Sequence, residues 1–194
     1  QALTSSAFKD SKINRTAVVT GNIFYSNFWP LSVHHSQNLD NSNAFQFDPD
    51  GDTGTATILT NTHQGVLLLF GNLLLEDAAQ WNIYNVPYVL DEKLFIAPAG
   101  SLTIAANAVI KCIQGTNAGI SIDEGGTLNR STAIFTEYRD DTPAYGGDTN
   151  ADGTATGAAD SSWYGIYDGN DSDSDGTANG FIIDEDYIFY AANE

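Results

Sequence analysis

The chain reads as all-β, and more narrowly as a short parallel β-helix with acidic loops between its strands. Three observations predict this. Helix signals are almost absent: no sustained i, i+3, i+4 apolar pattern runs between caps, and the few candidates, such as residues 75–82, span two turns. Short apolar segments separated by Gly, Asn, Asp or Pro recur along the 194 residues. The central part also repeats with an offset of 26 residues, a period that three short strands and their turns require.

In chain order, strands are expected in "TAVVTGNIFY" (16–25), "TATILT" (55–60), "GVLLLFGNLLL" (65–75), "KLFIAP" (93–98), "SLTIA" (101–105), "AVIKCI" (108–113), "GISI" (119–122), "AIFTEY" (133–138), "WYGIY" (163–167), "GFIID" (180–184) and "YIFYA" (187–191). Laying residues 92–112 over 117–138 places Gly100 on Gly126 and Leu102 on Leu128. Residues 63–83 follow the same plan, with Gly71 and Leu73 in those roles. Each unit is strand, Gly-containing turn, strand, turn, strand. Stacked units form the parallel sheets of a β-helix, with apolar residues pointing into the shaft. An antiparallel β-sandwich is the alternative, since its strands look alike but share no period. Two regions follow: residues 1–85, an N-terminal β region of early rungs or a capping or assembly segment, and residues 86–194, the β-helix rungs with their acidic loops.

Composition narrows the partners. The chain has 25 acids against 7 bases, a formal charge of −18. Phosphate binding needs clustered Lys and Arg, so nucleic acid is excluded as a partner and anionic membrane surfaces are disfavoured. Divalent cations are what such a surface attracts. The last base is Arg139, and residues 140–194 hold 13 acids without a Lys or Arg. Apolar residues there, among them Trp163, Ile166, Phe181, Ile188 and Phe189, mark a folded segment rather than an acidic tail. The single cysteine, Cys112, lies in an apolar run and is expected to be a buried, inert thiol. No apolar run approaches the ~20 residues that span a bilayer, so no membrane insertion is expected. A chain without Met that starts at Gln1 fits a processed product, placed outside the cell or on its surface after signal-peptide removal.

The segments "YVLDEKLFIAPAGSLTIAANAVIKC", "AGISIDEGGTLN", "AIFTEYRDD", "GGDTNADGTAT" and "SSWYGIYDGN" occur in this order over about residues 86–190. Together they resemble secreted bacterial (Bacteroidota-like) right-handed parallel β-helix proteins of cell surfaces. The resemblance implies a right-handed coil and an extracellular setting, and it implies no catalytic residues. Members usually continue for further rungs beyond the point where "YIFYAANE" closes this chain, and residues 1–85 lie outside the match.

Three loops carry oxygen ligands at i, i+2 and i+4 with a glycine close by: Asp48/Asp50/Asp52, Asp148/Asn150/Asp152 and Asp171/Asp173/Asp175. Alternate residues of a tight loop converge on one centre, and Ca²⁺ takes six to eight hard oxygens. These are not EF-hands, because the position for the bidentate Glu is held by Leu59, Ala159 and Ile182. Structural calcium is the expected cofactor, with Asp140, Asp141, Asp160, Asp168 or Asp184 as further ligands. Mg²⁺ demands a stricter octahedron and suits such loops less well.

Catalysis has weaker support. Asp140/Asp141 or Asp184/Asp186 could supply the acid and base of a polysaccharide hydrolase or lyase, but no base follows Arg139 to neutralise a uronate. His34 and His35, adjacent on a strand, are expected to point to opposite faces and not to share a metal, and His63 is distant in sequence. Sequons at Asn14, Asn129 and Asn170 are short enough to occur by chance. The expected function is a non-enzymatic cell-surface or matrix protein of structural or adhesive role, stabilised by calcium. It would self-associate head to tail into filaments, or by exchange of the "TAVVTGNIFY" strand. A carbohydrate-binding module is the alternative, with Trp29, Trp81, Trp163 or Tyr167 as glycan platforms.

Overall fold

The computed structural model describes residues 3–4, 19–46, 58–68, 73–83, 85–115, 117–170, 180–182 and 185–191. Two short strands come first, β1 (Leu3–Thr4) and β2 (Leu31–Val33). The chain then winds in coils of three strands. The first holds β3 (Val66–Leu68), β4 (Leu73–Leu75) and β5 (Ala78–Trp81). The second holds β6 (Tyr88–Leu90), β7 (Lys93–Ile96) and β8 (Ser101–Ile104). The third holds β9 (Val109–Cys112), β10 (Gly119–Ile122) and β11 (Thr127–Asn129). The fourth begins with β12 (Ile134–Glu137) and reaches β13 (Gly165–Asp168) only after the acidic insertion, residues 138–164.

Like-placed strands of successive coils pair in register and in parallel. They build one sheet in the order β1-β2-β3-β6-β9-β12, a second in the order β4-β7-β10-β13, and a third in the order β5-β8-β11. The protein is therefore an all-β parallel β-helix. Among the described residues every strand pair is parallel and an isolated Tyr167–Phe181 bridge is antiparallel, which sets the sandwich aside. Within residues 1–85, β2 to β5 belong to the same sheets as the later strands.

The core follows from the period-2 alternation of a strand. In the first sheet, Leu31, Val66, Tyr88, Ile110, Phe135 and Ile188 form one buried column across six levels. Leu94, Ile120 and Ile166 do the same in the second sheet, and Ala79 and Leu102 in the third. Each buried Leu or Ile contributes about 1.5–3 kcal/mol. Trp81 and Tyr88 stack with ring centroids 5.1 Å apart, and the indole N–H donates to the His35 carbonyl at 2.8 Å. Cys112 is free and buried, and burial pushes its thiol pKa up, as expected of an inert core residue.

The repeat glycines have a steric origin. A Cβ on Gly100 would lie 2.0 Å from the Leu75 carbonyl oxygen, and one on Gly126 would lie 2.7 Å from that of Ile96. Leu75 and Ile96 are themselves register partners, so each glycine sits where its coil descends onto the one before. The register corrects one expectation. Leu73 pairs with Leu94, and the partner of Leu102 is Ala79, so the copy in residues 63–83 was aligned one strand out of place. Residues 75–82 hold the end of β4 and all of β5 rather than a helical turn.

Candidate metal centre in the acidic insertion

The insertion leaves the coil between β12 and β13 and folds back over the outer face of the first sheet. It opens with a 3-10 turn, Pro143–Tyr145, ended by Gly146 at φ 90°. A Cβ on Gly146 would lie 2.3 Å from Pro87 Cγ, so only glycine lets the insertion come this close to the second coil.

Beneath it lies Lys111. Ile110 and Cys112 point into the shaft, so by alternation Lys111 points out, yet its side chain is fully buried. Its ammonium donates to the carbonyls of Asp140 and Gly147, both at 2.6 Å. Burial lowers its pKa to about 8, although Asp140, Asp141, Asp148 and Glu137 all pull the other way. The segment that lacks a base of its own thus borrows one from the third coil. Sequence alone does not single out Lys111, because it sits inside "AVIKCI". The available signal was a lone Lys at an outward position of an otherwise apolar strand. Glu137, fully buried at the end of the column above Cys112, accepts Arg139 Nε at 2.9 and 3.1 Å.

Asp141, Asp148 and Asp152 each bring one carboxylate oxygen within 4.8 Å of the others, the separation that ligands across a sphere of 2.3–2.6 Å bonds would have. The loop geometry is set by its own backbone: Asp148 accepts the N–H of Asp152 at 3.1 Å and that of Gly153 at 2.9 Å. Asn150 does not place its carbonyl on a donor. Its NH₂ donates to Asp152 Oδ2 at 2.9 Å and lies 3.2 Å from Thr156 Oγ1, whose hydroxyl donates to Asp152 Oδ2. That leaves Oδ1 of Asp141, Asn150 and Asp152 buried with no hydrogen-bond partner. Buried acceptors are nearly always satisfied by protein, water or an ion, so three in one loop call for a shared partner. The Asp141 carboxyl is pushed above its usual range, first by desolvation and then by Asp148 and Asp152. Tyr138, whose hydroxyl lies 2.9 Å from His63 Nδ1, is pushed up by burial and by Asp148 and Asp152.

Of the sequence-derived ligands, Asp148 and Asp152 come together with Asp141, and Asn150 adjoins them. Asp140 serves the fold instead, accepting Thr136 Oγ1 at 2.5 Å and the Thr142 N–H at 3.0 Å. Asp168 is tied to Asn170, and Asp160 is exposed, outside the group. Asp48, Asp50, Asp52, Asp171, Asp173, Asp175 and Asp184 lie outside the described residues. The flanks of the loop are strands, as its failure to match an EF-hand implied.

The histidines depart from expectation. His34 and His35 follow β2 in a turn, and their rings lie 4.0 Å apart rather than on opposite faces. His35 is buried, with Nε2 at 3.1 Å from the Leu74 carbonyl and Nδ1 without a partner. Burial and the neighbouring His34 lower its pKa to about 4, against a partial offset from the Leu74 carbonyl. An unfolded His titrates near 6.5, so the unfolded state binds the proton first as pH falls. His35 therefore favours folding fully above pH 6.5, and this is lost as pH drops toward 4. Between pH 7 and 5 urea unfolding should show a loss of about 2 kcal/mol that His35→Leu lacks. Asp91 and Asp141, both pushed up, act in the opposite direction and are common to the two proteins.

Two of the aromatic platform candidates are core residues: Trp81 and Trp163 are buried, and Trp163 donates its indole N–H to the Phe189 carbonyl at 2.7 Å. Trp29 is half-buried and stacks on His63 at 4.5 Å, and Tyr167 packs its ring edge to face with Phe181 at 5.4 Å. Among the described residues no helix is long and apolar enough to cross a membrane. In comparisons with protein families, with curated proteins and with solved structures, nothing matches this chain.

Proposed function

We propose that this protein is a secreted, non-enzymatic β-helix of structural or adhesive role whose acidic insertion is completed by calcium. The observation that carries the reading is the set of three buried, partnerless oxygens, on Asp141, Asn150 and Asp152, beside a carboxylate triad of matching span. Lys111 does not compete for them directly, since its N–H bonds go to main-chain carbonyls. Glu137, Asp140, Asp141, Asp148 and Asp152 outnumber Lys111 and Arg139, leaving room for a divalent charge. Millimolar extracellular calcium suits a site of this modest ligand count. The resemblance of residues 86–190 to bacterial cell-surface β-helices supports the same setting.

A non-enzymatic role is favoured by how the paired acids are used. Asp140 is buried and committed to Thr136 and Thr142, so Asp140/Asp141 does not supply a free acid and base. Self-association is favoured by the exposed Ile23, Tyr25, Phe28 and Ile58, apolar surface on the N-terminal side of the coils.

Thermal unfolding with calcium and with EDTA tests the reading. Calcium at about a hundred times its Kd should raise Tm by about 5–10 °C, and Asp148→Asn with Asp152→Asn should remove the rise. An unchanged Tm, or an equal rise with magnesium, would overturn the calcium assignment. Concentration-dependent sedimentation, absent from a monomeric protein, tests self-association separately.

A further inference from the structure

We propose that a cavity between the N-terminal segment, the turn before the second coil and the insertion binds an uncharged, hydroxyl-rich ligand of mono- to disaccharide size. The cavity, about 370 Å³, is lined by Phe45, Gln46, Gln64, Asn85, Val86 and Pro87, together with Ala44 and Gly146. Its size lies at the small end of the range for small-molecule sites.

The lining decides the ligand's charge. Among the described residues it contains no titratable side chain, in a protein of net charge −18. An anion would meet that field without a cation to receive it, and a cation would find no carboxylate among the described lining residues. A neutral ligand is what remains.

The lining also decides the polar chemistry. Three primary amides, on Gln46, Gln64 and Asn85, each donate and accept, as a sugar hydroxyl does. Two are held in place by neighbours. Gln64 accepts Asn61 Nδ2 on its carbonyl at 3.3 Å, which leaves its NH₂ to donate, and Asn85 donates to the Asn43 carbonyl at 3.2 Å, which leaves its Oδ1 to accept. Val86 and Pro87 supply an apolar wall suited to the C–H face of a pyranose. That wall is preformed: the Pro87 carbonyl accepts the Val66 N–H at 2.8 Å, and the Pro87 ring abuts Gly146. None of the described lining residues belongs to the carboxylate triad.

The test is saturation-transfer NMR and calorimetry on the full chain. The probes are neutral hexoses, N-acetylhexosamines and their disaccharides, with galacturonate as the anionic comparator. At least one neutral sugar should bind, Gln64→Leu and Asn85→Leu should each weaken it about tenfold, and Val86→Trp, which fills the cavity, should abolish it. Thermal unfolding of each variant confirms that it folds; the two amide variants carry the test if Val86→Trp does not. Three results would overturn the proposal. One is no saturable binding at tens of millimolar sugar. Another is binding that survives Gln64→Leu and Asn85→Leu, which would place it elsewhere, as at Trp29. The third is galacturonate binding as well as the neutral sugars.

Discussion

Gly100→Ala is expected to destabilise the protein by about 3–5 kcal/mol, above the usual range for overpacking. The added Cβ would lie 2.0 Å from the Leu75 carbonyl oxygen, a main-chain atom that already accepts the Ala97 N–H at 2.9 Å. Neither group can swing aside as a side chain would. The second coil must lift from the first, and ladder bonds on both sides of the corner stretch with it. Gly126→Ala, at 2.7 Å from the equivalent carbonyl, should cost less. Gly157→Ala, with nothing within 4 Å, should be close to neutral. Urea unfolding of the three variants checks the order, and equal effects at Gly100 and Gly157 would contradict the steric account.

Lys111→Ala should cost a similar amount, about 3–5 kcal/mol, for an electrostatic reason. Its loss takes the ammonium donor from the Asp140 carbonyl, leaves the Gly147 carbonyl with only the Thr149 hydroxyl at 3.3 Å, and removes the charge facing Asp140, Asp141, Asp148 and Glu137. Recovering the desolvation cost of the amine works against this. That gain is the smaller one, because Glu137 and Asp140 are too buried for water to replace the lysine. Lys111→Met restores the packing but not the charge, and should regain only part of the stability. The same variant should bind calcium more tightly than the wild type, since a divalent ion then faces less cationic repulsion. Unfolding curves with and without calcium read both effects, and an equally stable Lys111→Ala would contradict the anchoring role.

Much of the fold was legible because stacked coils impose their pitch on the residues. The pairing of Leu102 with Leu128 and the glycine at the same corner are both readable in residues 92–138. The copy in residues 63–83 misled because "LLLFGNLLL" offers leucines at several offsets, and only the register chooses among them. The period also varies along the chain. Val66 and Tyr88 are 22 residues apart, Lys93 and Gly119 are 26 apart, and Gly119 and Gly165 are 46 apart. No fixed repeat could have found the last of these.

The site was half legible. Asp148, Asn150 and Asp152 are local in sequence, so their spacing alone brings them together. Lys111 comes from 29 residues before Asp140, and its meeting with the insertion depends on which sheet face the loop covers. The contact between His34 and His35 was missed because β2 ends at Val33, and past that point strand alternation no longer governs where side chains point.

The position of the insertion has a consequence for how such a protein can change. Residues 138–164 enter at a corner, between β12 and β13, and both strands keep their register with the coil below. Lengthening a loop adds little entropy cost, roughly 0.6 kcal/mol for each doubling. The shaft therefore acts as a fixed spindle, and its corners are open addresses where sequence can be added, shortened or exchanged without retuning the core. Selection can rewrite what this surface presents while the barrel of stacked leucines and isoleucines beneath it stays as it is.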